Sequence, residues 1–227
     1  MVDLDAAGMT TREINTHLKE LASQGKEVRI LNPQARHNLA VGILTPCKIT
    51  FKGSVGYFCA SLMDGPEVVI HGNAGWALGD NMMSGKIALS KNAGASAAST
   101  IRGGEVFVGG NAGARAGISM KGGTLIVRGS TGFLTGFMMQ KGKIIVCGDA
   151  GDGVGDSMYE GTIYVAGEIG SLGSDAKMEE PTEEELISVW ETLERYGINS
   201  KYRFKKIVSA KKLYHFDSPE RLEKRVI

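Results

Sequence analysis

The sequence predicts an all-β fold: a single-stranded parallel β-helix, or solenoid, of about seven regular turns with a short helix near each end. Three observations predict it. A glycine recurs every 19 residues, at Gly56, Gly75, Gly94, Gly113, Gly132, Gly151 and Gly170. Every period holds one short β-branched run between glycines, such as Glu67-Val68-Val69-Ile70 or Thr162-Ile163-Tyr164-Val165. No period holds an apolar stripe long enough for a helix, so only the stacking of rung on rung completes a core.

Stacking converts repeat positions into columns. Ile49, Val68, Ile87, Val106, Leu125, Ile144 and Ile163 form one; Phe51, Ile70, Leu89, Val108, Val127, Val146 and Val165 form another. Two residues apart, they share a side of the strand and point inward. Met63, Met82, Met120, Met139 and Met158, with Ile101 in one rung, make a third inward column. Methionine fills irregular space, so a core role accounts for these sulfurs without metal or redox chemistry. At about 4.8 Å per rung the repeated body is roughly 30 Å long.

The glycine column marks a corner that needs positive φ or leaves no room for a Cβ beside the adjacent rung. A second corner column is Gly85, Gly104, Gly123, Gly142 and Gly161; an always-small column, Ala60, Gly79, Ala98, Gly117, Gly136, Gly155 and Ser174, lies between the two. Before the anchor glycine stand Ser54, Asn73, Asn92, Asn111, Ser130 and Asp149, short polar groups suited to bonding turn backbone. The column between the two core columns reads Thr50, Val69, Ala88, Phe107, Ile126, Ile145 and Tyr164. It points outward, yet it grows more apolar toward the C-terminal rungs. Such a face is covered, either by the chain's own C-terminal segment or by another subunit.

Residues 1–26 read as an N-terminal helical cap, 27–175 as the β-helix, and 176–227 as a C-terminal helix and basic tail packed on the solenoid or on a partner. Thr10 and Glu13 form a capping box, followed by Ile14, Leu18 and Leu21 at helical spacing. Val28 and Ile30 look like a degenerate first strand. His37 falls one period before Gly56, in the anchor position, and marks either an irregular terminal rung or a site. A second capping box, Thr182 to Glu185, opens an acidic helix with the stripe Leu186, Val189, Trp190 and Leu193, in which Trp190 is the expected docking anchor. From Lys201 onward there are nine lysines and arginines against three acidic residues, interleaved with Tyr202, Phe204, Tyr214 and Phe216. Tyr202 to Val208 alternates like a strand.

Chemistry is sparse. The net charge of +1 gives no bulk attraction to nucleic acid or an anionic membrane, and neither is an expected partner. Cys47, Cys59 and Cys147 have no metal-binding spacing, as befits a reduced, cytoplasmic protein. No leader or membrane span is evident. There is no complete dinucleotide fingerprint, phosphate loop or nucleophile elbow. His17, His37, His71 and His215 are scattered, and the pairing of His71 with Cys59 lacks a third group. No catalytic, cofactor-binding or metal-binding residue is assigned. The anchor glycines are assigned as structural turns, and Phe107, Ile126, Ile145, Tyr164 and Trp190 as a covered or interface face. A stand-alone enzyme or small-ligand-binding module would use the turns from Asp149 to Asp156.

Gly72-Asn73-Ala74-Gly75, Gly129-Ser130-Thr131-Gly132 and Gly148-Asp149-Ala150-Gly151, each followed by a methionine and a further glycine, resemble the C-terminal GXGXG repeat domain of the glutamate synthase large subunit. Met138 to Gly142, Asp156 to Gly161 and the Glu-rich helix are similar to the free-standing subunit of split glutamate synthase-related systems, including methylamine–glutamate N-methyltransferase. The repeat-bearing component of formylmethanofuran dehydrogenase is a more distant likeness, and a scaffold of that kind is an alternative. The resemblance implies a right-handed coil acting as a non-catalytic scaffold. It also implies glutamine amidotransferase-like and FMN-dependent glutamate synthase-like partner subunits, with FMN and an iron–sulfur cluster in a partner and none bound by this chain. Self-association is a further expectation. Lys91 and Pro66 depart from mostly glycine columns and affect local turn shape.

Overall fold

A computed structural model describes residues 1–211. Nine strands stack in parallel: β1 (Val2–Asp5), β2 (Val28–Leu31), β3 (Lys48–Lys52), β4 (Glu67–Ile70), β5 (Lys86–Leu89), β6 (Glu105–Val108), β7 (Lys121–Val127), β8 (Lys141–Val146) and β9 (Thr162–Val165). Helix α1 (Thr11–Ser23) lies between β1 and β2 in the chain. After β9 come β10 (Ala176–Glu179), helix α2 (Glu183–Glu194) and β11 (Lys205–Ser209). The sheet order is β1 through β9, then β11, then β10, and the last two pairings are antiparallel. The fold is a parallel β-solenoid of about seven regular rungs with two short helices.

Register follows the period. Val68 pairs with Ile87 and Ile87 with Val106, so matched side chains lie directly over one another. Both strand columns and the methionine column, Ile101 included, are wholly buried in one continuous core. The leading strand residues Lys48, Glu67, Lys86 and Glu105 alternate in charge on adjacent strands. That alternation rewards the native register and penalises a slip.

The anchor glycines are needed for closeness rather than for positive φ. A Cβ on Gly113 would sit 2.8 Å from the Ala95 nitrogen and 2.9 Å from the Gly94 carbonyl carbon, both backbone of the rung below. Positive φ belongs to the residues that follow. Phe58, Ala60 and Leu62 lie at 57°, 56° and 56°, and Ser96, Ala98 and Thr100 repeat the pattern at 60°, 56° and 54°. Their N–H groups bond alternately up and down: Phe58 to the Trp76 carbonyl at 2.8 Å, Ala60 to Leu39 at 2.9 Å, Leu62 to Asp80 at 2.8 Å. A non-glycine residue there carries strain. Full pairing of the turn backbone between rungs offsets it.

The polar column forms a ladder. Asn92 N–H donates to Asn73 Oδ1 at 3.1 Å, Asn111 N–H to Asn92 Oδ1 at 2.8 Å, and Asp149 N–H to Ser130 Oγ at 3.0 Å.

Two features depart from the sequence reading. Residues 1–26 hold a strand as well as a helix: β1 pairs in parallel with β2, Val2 against Val28, so the sheet begins before α1. The first spacing is longer than 19, since Val28 pairs with Ile49. One extra residue at the following turn puts Arg36, not His37, against Gly56, whose N–H bonds the Arg36 carbonyl at 2.8 Å. His37 therefore aligns with Tyr57. The strand expected within Tyr202 to Val208 is present as β11, which with β10 closes the C-terminal end of the sheet.

Both helices carry the complete capping box. α1 buries Ile14, Leu18 and Ala22 on the open N-terminal rung. Asn15 completes the seal by imitating a missing peptide: its Oδ1 accepts from Ala40 N–H at 2.8 Å and its Nδ2 donates to the Asn38 carbonyl at 2.7 Å. Among the described residues, no helix is long and apolar enough to cross a membrane.

Candidate functional site

The outward face of the strand wall is divided. Over β6 to β9 it is covered by the same chain. Ile126, Ile145 and Tyr164 form a second buried cluster with Val189 and Leu193 of α2 and with Ile198 and Phe204 beyond it. Each such side chain removed from water contributes about 1.5–3 kcal/mol. Trp190 packs against the edge of this cluster. It is half-buried, its Nε1 donates to the Tyr202 carbonyl at 3.2 Å, and Lys201 lies 5.4 Å over its ring. Val189 and Leu193 are wholly buried within the cluster.

Polar groups fix the position of this cover. Tyr196 stacks on Phe107 and donates to Glu105 at 2.6 Å; Arg195 reaches the other carboxylate oxygen of Glu105 at 2.6 Å. Lys206 pairs with Glu185 at 2.7 Å, which lowers the Glu185 carboxyl below its usual range. Burial, with Glu185 adding to it, pushes the Tyr164 phenol up to about 12. Lys143 donates to Ser188 at 3.2 Å. Over β3 to β5 the same column, Thr50, Val69 and Ala88, is only half-buried.

The turn wall is different in kind. His37, Tyr57 and Trp76 stack in sequence, with ring centroids 4.4 and 5.3 Å apart. His37 Nδ1 accepts from the Tyr57 backbone N–H at 2.9 Å. Phe58, Leu62 and Met83 are exposed on the same rungs, and Leu44 on the one before. Sequence reading missed this surface. The signal was one column: the residue after the anchor glycine is Tyr57, Trp76 and Phe133 where other rungs have Ala95 and Ala114.

Side chains of the turns from Asp149 to Asp156 bond within the solenoid itself. Asp149 Oδ1 accepts from Glu168 N–H at 2.8 Å, and Ser157 Oγ donates to Asp156 Oδ1 at 2.8 Å. Among the described residues no three His, Cys, Asp or Glu side chains gather closely enough to hold a metal ion. Cys59 is wholly buried while His71 is exposed. Burial drives the Cys59 thiol far up and that of Cys147 to about 11. His215, Tyr214 and Phe216 lie outside the described residues.

The GXGXG motif family matches residues 35–200, which takes in most of the solenoid and the helix sealing its strand wall. Over 70 residues the chain is 40% identical to Protein GlxC of Rhizobium meliloti (strain 1021), a match covering 30% of this chain. It spans 31% of that protein's length.

Proposed function

Because the chain belongs to the GXGXG motif family, and is thereby related to the repeat domain of glutamate synthase, we propose that it is a non-catalytic subunit of a glutamate synthase-like complex. In that complex it holds a glutamine amidotransferase subunit against an FMN-dependent synthase subunit. The partner supplies the flavin and an iron–sulfur cluster. This chain supplies a stiff spacer of fixed length. With 2-oxoglutarate as acceptor, the coupled reaction is reductive transfer of the glutamine amide nitrogen.

The observation that carries this reading is the extent of the family match. It takes in most of the rungs and the helix that seals them, so the architecture as a whole is the family's and not one motif within it. Stiffness supports it as well. The rungs are tied by parallel strands, by the polar ladder and by the paired turn backbone, and such an element fixes a separation better than a loop does. The test is affinity purification of the full chain from its native cell, with identification of co-purifying chains and an absorbance scan for flavin. Recovery with an amidotransferase and a yellow flavoprotein is expected. Recovery alone and colourless overturns the proposal.

A further inference from the structure

We propose that the turn wall of the first rungs is a self-association surface joining two copies of this chain. Six large apolar side chains lie exposed there: Leu44 (68%), Tyr57 (40%), Phe58 (44%), Leu62 (53%), Trp76 (58%) and Met83 (46%). They are contiguous through the backbone ladder. Phe58 N–H bonds the Trp76 carbonyl at 2.8 Å, Met83 N–H bonds Met63 beside Leu62 at 2.9 Å, and Asp64 N–H bonds Ile43 beside Leu44 at 2.9 Å. Together they offer roughly 600 Å² of apolar side-chain surface, at the upper end of what a soluble monomer exposes in one patch. A stable dimer needs about 800 Å² per partner, of which the apolar centre is the larger part, and a polar rim supplies the remainder.

The layout selects a second copy as the occupant. Rings stand along one edge of the wall, Tyr57 and Trp76 in the column after the anchor glycine. Aliphatic side chains stand along the other, Leu44 and Met83, with Phe58 and Leu62 between. A two-fold axis parallel to the solenoid axis sets Trp76 against the Met83 of the other copy and Phe58 against its Leu62, each pair at one rung height. That is the self-complementarity a closed dimer requires. None of the six is charged, and the chain's net charge of +1 sets up little repulsion between copies. The carboxylate at the aliphatic edge, Asp64, already accepts from Ser84 Oγ at 2.6 Å. Trp76 is the expected anchor of the ring edge, held in its plane by Tyr57 beneath it.

The test is sedimentation equilibrium of the full chain over a concentration series. The expected mass is twice the 24.1 kDa of one chain. The combined variant Trp76→Gln, Leu62→Asn and Met83→Gln weakens dimerisation by about thirtyfold or more. Its far-ultraviolet circular dichroism stays that of the wild type, and Asn at the 56° φ of Leu62 keeps the turn unstrained. Ile187→Gln, equally exposed but on α2, leaves the dimer intact. If the combined variant does not fold, Met83→Glu alone serves, since it buries an unpaired carboxylate against Trp76 of the other copy. A wild-type monomer, a dimer indifferent to these substitutions, or a different protein seated on this wall in the purified complex overturns the proposal. None of these results bears on whether a flavoprotein and an amidotransferase co-purify.

Discussion

Tyr196 lies flat on Phe107, with the ring centroids 4.2 Å apart and the planes within 9°, while its hydroxyl donates to Glu105 at 2.6 Å. One side chain thus ties the end of the C-terminal cover to the middle of the solenoid. Tyr196→Phe keeps the stack and loses the hydrogen bond to a charged group, at a cost of about 1.5–3 kcal/mol. Tyr196→Ala costs more and loosens α2. Amide hydrogen exchange through residues 186–198 checks both, and protection should fall in the order wild type, Phe, Ala.

Gly113→Ala is predicted to be destabilising by about 1–3 kcal/mol, because the new Cβ meets backbone that cannot rotate away. Gly25→Ala is the comparison. Nothing lies within 4 Å of its Cβ position and only its φ of +67° opposes the change, at about 1 kcal/mol. Urea unfolding of both variants measures the difference.

The polar ladder makes a selective prediction. Asn92→Ala leaves the Asn111 N–H without its side-chain acceptor and costs about 1 kcal/mol. Asn92→Ser recovers most of it, since Ser54 and Ser130 already serve as acceptors in the same column. Thermal unfolding of the three proteins should rank them wild type, Ser, Ala.

Stability falls at both pH extremes for reasons that can be assigned. The Tyr164 phenol is raised from 10.0 to about 12 in the folded chain, so the unfolded chain loses its proton first. Its contribution is complete below pH 10 and disappears as pH rises toward 12. Glu185 is lowered by Lys206, so its contribution is complete above its ordinary value of 4.5 and is lost as pH falls below that. Tyr164→Phe should flatten the alkaline limb and Glu185→Gln the acid limb in pH-dependent urea melts.

What could be read from the sequence was whatever the period repeats. Val68, Ile87 and Val106 could be placed in one column because each has a counterpart 19 residues away, and so could the methionines and the asparagine ladder. The single-copy features were not legible. Strand β1 has no neighbour at the repeat distance, because α1 is inserted before β2. The extra residue that aligns His37 with Tyr57 occurs once, where α1 and Asn15 replace a rung. β10 has no repeat partner, and nothing in its own sequence says that it pairs with β11. The turn-wall patch was hidden for another reason: its rings share a column with alanines, so no pattern spans all rungs.

The linking role is tested most directly by purifying the flavoprotein partner through its own tag from cells with and without this chain. The account predicts that the amidotransferase accompanies the flavoprotein only when this chain is present. An amidotransferase that stays bound to the flavoprotein in its absence would contradict it.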